Sequence, residues 1–444
     1  MSRKTRVDHG GFSDRFTRIY GAEKRAKTVT FIVTHQCNLR CTYCYECNKS
    51  DEEMSLETAK KCVDLLFEED AKKNPLVNDE ECAAIILDFI GGEPLLKIDL
   101  IDQIMDYFLT KAIELDHRWQ TNYMISMSTN GVLGDDPKLQ EFMNKYEGRF
   151  SLGVTIDGDK QAHDACRVDL NGNGSYDKAI KLFRRAGRFN GERVTKYTIS
   201  PGNIHLLYDS IKHMVFDEGV DTINCNCVYE EGWNMDHAKL LYKELKRISD
   251  DICEKNEDLY ISILDWEAGH HLPDTETQNW CGGDGRMLAF ETDGTILPCL
   301  RYSTMSIPNQ PIYRIGDLEN GLINTEEDIA RISALRSITR QSQSRQECLD
   351  CPINAGCSWC TAYNYQMTGS PNSRVTFICC MHKARVMAQC YHHNKLHLKN
   401  PKHTPMKMHI PKEWALEIID EDEWDMLKRL ENDALADVNI EEIK

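Results

Sequence analysis

Three cysteines within eight residues, Cys37, Cys41 and Cys44 in the run THQCNLRCTYCYE, constrain this chain more than any other feature. The C-x3-C-x2-C spacing puts three thiols on one short loop, directly after an apolar, β-rich run, Thr28–Thr34 (TVTFIVT). Three thiolates can hold three irons of a four-iron cube and leave the fourth iron for a small molecule. Structural zinc normally takes four protein ligands. Cys47 is near enough in sequence to be the fourth, so zinc stands as the alternative.

The chain carries 19 cysteines in all. Its first residues, MSRKTRVDHGGFSDRFTRIYG, hold no apolar stretch of signal-peptide type, and no run of membrane-spanning length follows. The expected location is the cytoplasm, where thiols stay reduced and clustered cysteines bind soft metals or iron–sulfur clusters instead of pairing. Cys62, Cys82, Cys166, Cys225 and Cys253 fall outside any metal-type spacing and read as buried apolar residues. The net charge of −18 argues against nucleic acid as a partner, since phosphate binding needs clustered cations.

Six β-rich runs alternate with helical periodicity: Thr28–Thr34, Ala84–Phe89, Tyr123–Ser128, Ser151–Ile156, Thr195–Ile199 and Thr222–Val228. Ser55 reads as a helix N-cap, and 98–115 and 176–188 carry apolar residues at helical spacing. The expected fold class is α/β, a partial (β/α)6 barrel with its site at the C-terminal strand ends. The expected organisation is a basic N-terminal extension over 1–27, a barrel over 28–245, a bridging region and loop-rich, metal-stapled domain over 246–395, and a C-terminal extension over 396–444. Within that extension 414–419 reads as a strand and 421–430 as a helix.

With its triplet after the first strand of such a barrel, the chain resembles the radical S-adenosylmethionine superfamily. The resemblance implies a [4Fe–4S] cluster on Cys37, Cys41 and Cys44 whose open iron chelates S-adenosylmethionine and whose electron breaks the sulfonium C–S bond. The resulting 5′-deoxyadenosyl radical takes a hydrogen atom from the substrate. Gly91-Gly92-Glu93-Pro94 after the second strand would hold the cofactor's ammonium, with glycines allowing close backbone approach. Relatives often carry Gln where Ile90 stands. Tyr43 would wall off the adenine. Asn130, in Ser-Thr-Asn-Gly after the third strand, and Thr155, after the fourth, would contact the cofactor. Arg167 would pair with its carboxylate, a surface salt bridge being the other reading.

The later cysteines run Cys281, Cys299, Cys348-x2-Cys351-x5-Cys357-x2-Cys360, then Cys379 and Cys380. Paired cysteines of this kind suit zinc or iron–sulfur clusters. They resemble the SPASM domain, which implies two auxiliary [4Fe–4S] clusters. The first would take Cys281, Cys299 and Cys360. The second would take Cys348, Cys351, Cys357 and one of Cys379 and Cys380. Two departures matter. Thr361 stands where the last cysteine of the block is usual, and Met287 where some relatives have an extra thiol, so the first cluster is expected to have an open iron unless the spare cysteine closes it.

Cys299 is followed by Leu300-Arg301-Tyr302, without the Asp base of sulfatase-maturating relatives. A substrate cysteine thiolate is a good ligand for an open iron. The resemblance therefore implies a thioether-forming peptide maturase of the ranthipeptide or sactipeptide type, acting on a Cys-containing precursor peptide with an electron donor such as flavodoxin or ferredoxin. The alternatives are another radical modification (carbon–carbon crosslinking, epimerisation, formylglycine formation) or a non-enzymatic iron–sulfur or zinc protein. The basic residues Arg3, Lys4, Arg6, Arg15, Arg18, Lys24, Arg25 and Lys27 suit either an acidic leader or a solvated tail.

Overall fold

The computed structural model describes residues 25–78, 82–256, 259–266, 268–275, 281–436 and 438. Every expected barrel strand is present. They are β1 (Arg25–Ile32), β2 (Cys82–Ile90), β3 (Tyr123–Thr129), β4 (Phe150–Val154), β5 (Val194–Ile199) and β6 (Thr222–Cys227). Strands β1 to β4 pair in parallel in chain order, and β5 pairs in parallel with β6. Among the described residues no ladder joins β4 to β5. Side chains bridge that seam. Thr195 Oγ1 donates to the Ile156 carbonyl at 3.1 Å, and the Thr198 N–H donates to Asp157 Oδ1 at 3.2 Å.

The helices follow from local chemistry. Ser55 caps α1 (Leu56–Ala71) by accepting from the Thr58 N–H at 3.0 Å. The following α2 (Ile98–Glu114) buries Ile101, Ile104, Met105 and Phe108 at helical spacing. Phe67 of α1 meets Phe108 and Trp119 at ring separations of 5.5 and 5.1 Å, locking both helices to the sheet. A short helix, α3 (Lys160–Cys166), and a longer one, α4 (Tyr176–Asn190), lie between β4 and β5; α5 (Leu207–Phe216) follows β5 and α6 (Met235–Asp251) follows β6.

Three features depart from the sequence reading. First, β8 (Met287–Phe290) pairs in parallel with β1, after a short β7 (Tyr260–Ile261) alongside β6. The sheet thus runs on past β1 through β8, β9 (Ile296–Leu297), β10 (Gly316–Asp317) and β11 (Gly321–Leu322). Phe290 meets Phe31 at 5.2 Å, so this region shares the barrel's core. These strands are too short to show a period.

Second, the expectation of a loop-rich domain over 246–395 fails at its C-terminal end. Cys379 opens a 21-residue helix, here α8 because α7 (Thr361–Thr368) precedes it. Its buried residues include Met381, Ala384, Val386, Met387, Cys390 and Leu396, which surround the helix, so no one-faced pattern marks it. Third, 414–419 is not a strand. Pro411 precedes a helical turn, Lys412–Ala415, and the N–H groups of Ile418 and Ile419 both return to Ala415 O at 2.9 Å. Pro at such a start presets a helical φ and sacrifices no needed donor. The helix expected next is present as α9 (Glu421–Leu435), capped by Asp420.

Cys62, Cys166, Cys225 and Cys253 are buried, as expected; the Cys82 side chain lies outside the described residues. So do Arg3, Lys4, Arg6, Arg15, Arg18 and Lys24. Arg25 and Lys27 belong to β1, and the buried Lys27 ammonium donates to the Gly285 carbonyl. No described helix is long and apolar enough to cross a membrane.

Candidate functional site

The loop after β1 is stitched to the loop after β2. The Val33 N–H donates to Ile90 O, that of Gly92 to Thr34 O and that of Glu93 to Gln36 O, each at 2.9 Å. This ladder brings the backbones together so closely that only glycine fits. A Cβ on Gly91 would stand 2.3 Å from Thr34 O, and one on Gly92 would stand 2.4 Å from Gln36 O. On its other side the three-cysteine loop hangs from the segment after α3: Arg40 N–H donates to Val168 O at 2.7 Å and Thr42 N–H to Cys166 O at 2.9 Å.

Every one of the three sulfurs faces a donor. Cys37 Sγ receives the Leu39 N–H at 3.4 Å and Asn130 Nδ2 at 3.8 Å. Arg167 Nη1 lies 3.8 Å from Cys41 Sγ, and Lys49 Nζ 3.6 Å from Cys44 Sγ. Two cations and an amide aimed at three sulfurs fit thiolates better than thiols. Yet burial, the largest cause, leaves the Cys41 thiol pushed up to about 11 even with Arg167 beside it. A free thiol here would keep its proton at neutral pH, so an anionic sulfur needs a metal to take the proton's place. Among the described residues no three His, Cys, Asp or Glu side chains converge as a single ion requires. A cube, whose thiolates bind different irons, does not need that convergence. The donor set thus fits metal-bound thiolates such as those of a four-iron cluster. Cys47, in the same loop, is exposed.

Around the loop the expected cofactor residues are brought together, though not all with free groups. The buried Glu93 carboxylate accepts from Thr129 Oγ1 at 2.6 Å, Asn130 N–H at 2.8 Å and Leu95 N–H at 3.1 Å. It holds the loop after β3 and is not aimed outward. Asn130 likewise braces the cysteine loop, donating from Nδ2 to Asn38 Oδ1 at 2.7 Å. Thr155 is half-buried just past β4, its N–H on Thr129 O at 3.1 Å.

Arg167 is buried, which removes the surface-salt-bridge reading. Its Nε donates to Asp157 Oδ2 at 2.7 Å, and its guanidinium stands over the Tyr43 ring at 5.6 Å. Tyr43 Oη donates to the same carboxylate. Burial disfavours the guanidinium charge, and Asp157 and Tyr43 more than offset it. Asp157, fully buried, thus joins Arg167, Tyr43 and β5. Sequence reasoning assigned it no role.

The later cysteines form two groups. In the first, Cys281, Cys299 and Cys360 lie close enough that each of the other two raises the Cys299 thiol, after burial. A Cβ on Gly283 would be 3.4 Å from Cys281 Sγ, 3.7 Å from Cys299 Sγ and 3.5 Å from Thr361 Oγ1. Thr361 Oγ1 also sits 3.2 Å from Cys281 Sγ, so the hydroxyl joins the group in place of a fourth sulfur. In the second, burial and then Arg374 act on Cys357, whose thiol is pushed up to about 11; Cys379, Cys351 and Cys348 are its neighbours. Arg374 Nη2 lies 2.9 Å from Cys357 Sγ.

Of the adjacent pair, Cys379 therefore faces the second group. Cys380 Sγ instead donates to Asn234 O at 3.6 Å and has Cys227 as a neighbour. Replacing Cys379 by Ala is expected to lower the iron content of the reconstituted chain by up to about four per chain. Cys380→Ala is expected to leave it unchanged. Iron and sulfide assays on both variants check this.

Sequence reasoning also missed the bridge between the triplet and the first group. Tyr45 is half-buried, with Cys44 and Cys299 both near its hydroxyl. Arg301 covers the Tyr45 ring at 4.4 Å and donates to Tyr45 O at 3.2 Å, to Gln366 at 3.1 Å and to Glu230 at 3.2 Å. The signal available was Tyr45 itself, one residue after the last cysteine of the triplet.

The family model described as the radical SAM superfamily matches residues 31–205. The chain is 28% identical over 183 residues to the uncharacterized protein MJ0907 of Methanocaldococcus jannaschii, covering 41% of this chain and 56% of that protein. It is 24% identical over 370 residues to the radical SAM cyclopropyl synthase TigE of Paramaledivibacter caminithermalis, covering 78% of this chain and 69% of that one. The chain thus spans little more than half the length of the first. Among solved structures, native anSMEcpe with bound AdoMet superposes with a TM-score of 0.58 at 16% identity, over 84% of this chain and 98% of that chain.

Proposed function

On the premise that residues 31–205 are a radical S-adenosylmethionine domain in an enzyme of that superfamily, we propose that the chain ties cysteine sulfur to carbon in a ribosomally made peptide. Cys37, Cys41 and Cys44 would hold one [4Fe–4S] cluster, and the two later groups would hold auxiliary ones. Cluster and cofactor together supply, when bound, reductive cleavage of the sulfonium C–S bond and a radical able to abstract hydrogen. The protein's share is placement. Gly91 and Gly92 let backbone close on the cofactor's amino-acid end. Arg167, kept charged by Asp157, suits its carboxylate, and Tyr43 walls the site beside the third cysteine.

The observation that carries the thioether reading is the group of Cys281, Cys299 and Cys360 with Thr361. It offers three sulfurs and one hydroxyl. A hydroxyl is a harder and weaker partner for iron than a thiolate, so a substrate cysteine is the better fourth ligand. Cys380, the one neighbour that could have closed the group, faces Asn234 and Cys227 instead. Tyr45 and Arg301 would align this group with the triplet. In net terms one hydrogen atom would pass from carbon to the 5′-deoxyadenosyl group and the thiol would lose its proton, while the remaining electron would go to the auxiliary cluster as the C–S bond forms. A protein donor such as flavodoxin or ferredoxin would supply the priming electron.

The test is mass spectrometry of a short Cys-containing peptide encoded beside the gene, after incubation with reconstituted enzyme, S-adenosylmethionine and reductant. Each crosslink is expected to remove two hydrogens and protect one cysteine from alkylation. The same loss with every thiol still alkylated would indicate a carbon–carbon bond. An unchanged peptide mass with cofactor cleavage intact would sink the reading.

A further inference from the structure

Strands β3 to β6 turn one face to their helices and the other to the barrel lumen. On β5 the helix-facing residues are Thr195, Tyr197 and Ile199, all buried, and Tyr197 Oη donates to Ser210 of α5 at 3.3 Å. Strand alternation therefore puts Val194, Lys196 and Thr198 on the lumen side. The register sets Lys196 beside Asn224 and Thr198 beside Asn226, while Ser128 stands beside Gly153. This wall is open and polar. Ser128, Gly153, Lys196 and Asn226 are exposed, and Thr198 and Asn224 half-buried. Lys196 is the only charged residue on it.

Among the described residues no hydrogen bond or ion pair engages the Lys196 ammonium. The charges that reach it are Arg167, Asp157 and Glu46. Asp157 is already spent on Arg167, Tyr43 and the Thr198 N–H. Glu46 is near Lys49, at 3.8 Å. Although its side chain is open to solvent, desolvation and then Arg167 lower the Lys196 pKa. What places this accessible cation is strand alternation, which sets it on the lumen side of β5. An anion placed there would gain more than one on the outer surface, because fewer waters compete.

In the reading above, the cofactor's carboxylate would go to Arg167, beside the Cys41 sulfur. The neutral groups next to Lys196 on β5 and β6, from Asn224, Asn226 and Thr198, suit a peptide backbone. We propose that Lys196 is a specificity-determining contact for a carboxylate side chain, Asp or Glu, on the peptide drawn into the lumen. This rests on the peptide-substrate reading above and narrows its substrate to peptides with an acidic residue near the reacting carbon.

The test uses the reconstituted full chain with S-adenosylmethionine and five pools of labelled, cysteine-containing synthetic peptides. Each pool carries Asp, Glu, Asn, Gln or Lys at one variable position in a frame of Gly, Ala, Ser and Cys. Fluorescence anisotropy is expected to show the acidic pools binding about tenfold tighter than the amide pools. Lys196→Gln is expected to bring that ratio to one. Lys196→Glu is expected to invert it in favour of the Lys pool, which a merely misfolded variant cannot do. Equal binding of acidic and amide pools by the unmodified enzyme would overturn the proposal. So would a ratio that survives Lys196→Gln while cofactor affinity falls, since the lysine would then serve the cofactor's carboxylate. Acid-selective binding with no loss of hydrogens would overturn the thioether reading and leave this one standing. Thioether formation as fast in amide pools as in acidic ones would do the reverse.

Discussion

Replacing Cys41 by alanine is expected to abolish release of 5′-deoxyadenosine from S-adenosylmethionine and to cut iron uptake from about twelve to about eight per chain. The reason lies in the count of ligands and in the setting of this sulfur. One iron of a cube held by Cys37, Cys41 and Cys44 would lose its only protein ligand. The Arg167 guanidinium, 3.8 Å from Cys41 Sγ, would lose the negative partner it faces. No neighbour replaces the thiolate, since Cys47 points to solvent. Cys47→Ala is the matched control in the same loop and is expected to keep both iron and cleavage. Anaerobic reconstitution, iron and sulfide assays, and chromatography of the nucleoside products measure all of this. Cleavage surviving in Cys41→Ala would refute the assignment of the triplet. Two or three zincs in place of iron would refute the cluster altogether.

The second large effect is expected from Gly91→Ala. The added methyl would meet Thr34 O at 2.3 Å, with Thr34 N and C at 3.2 and 3.3 Å. Those are backbone atoms in a ladder, so no rotamer change relieves the contact. Either the loop after β2 or the cysteine loop must move. Overpacking of this kind costs about 1–3 kcal/mol. The functional loss is expected to exceed the loss of stability, because the displaced backbone is the one that places the cofactor. S-adenosylmethionine affinity is expected to fall by about tenfold or more, the equivalent of about 1.4 kcal/mol. Gly202→Ala is the control, since its methyl meets nothing nearer than 3.8 Å. Thermal unfolding and equilibrium binding on the same preparations separate the two losses. Unaltered affinity in Gly91→Ala would show that the two loops do not act as one unit.

The residues that were legible in advance share one property: their chemistry is local. The cysteine spacings, the glycine pair and the N-cap at Ser55 each act through neighbours a few positions away. The β-rich runs of the barrel also announced themselves, because strands buried against helices need a run of apolar residues whatever lies elsewhere. Glu93 shows where such reading stops. Its motif suggested a cofactor residue, but only the fold shows its carboxylate turned onto Thr129, Asn130 and Leu95. Helix α8 was illegible for a different reason. A helix buried on nearly all sides has no polar face, so the period that identifies helices is absent.

From its sequence alone the chain determined a parallel α/β barrel with a three-cysteine loop at its mouth and a second region rich in metal-type thiols. Those properties depend on residue type and spacing, which sequence contains directly. Tertiary structure alone decided which thiols stand together. Cys379 joins Cys348, Cys351 and Cys357, while its neighbour Cys380 is carried away, because adjacent residues at the start of a helix point about 100° apart. It also decided that Tyr45 and Arg301 link the triplet to the first later group, that Asp157 joins Arg167 and Tyr43, and that among the described residues nothing pairs with Lys196. Such contacts join residues up to hundreds of positions apart, and their geometry exists only once the sheet and helices have packed.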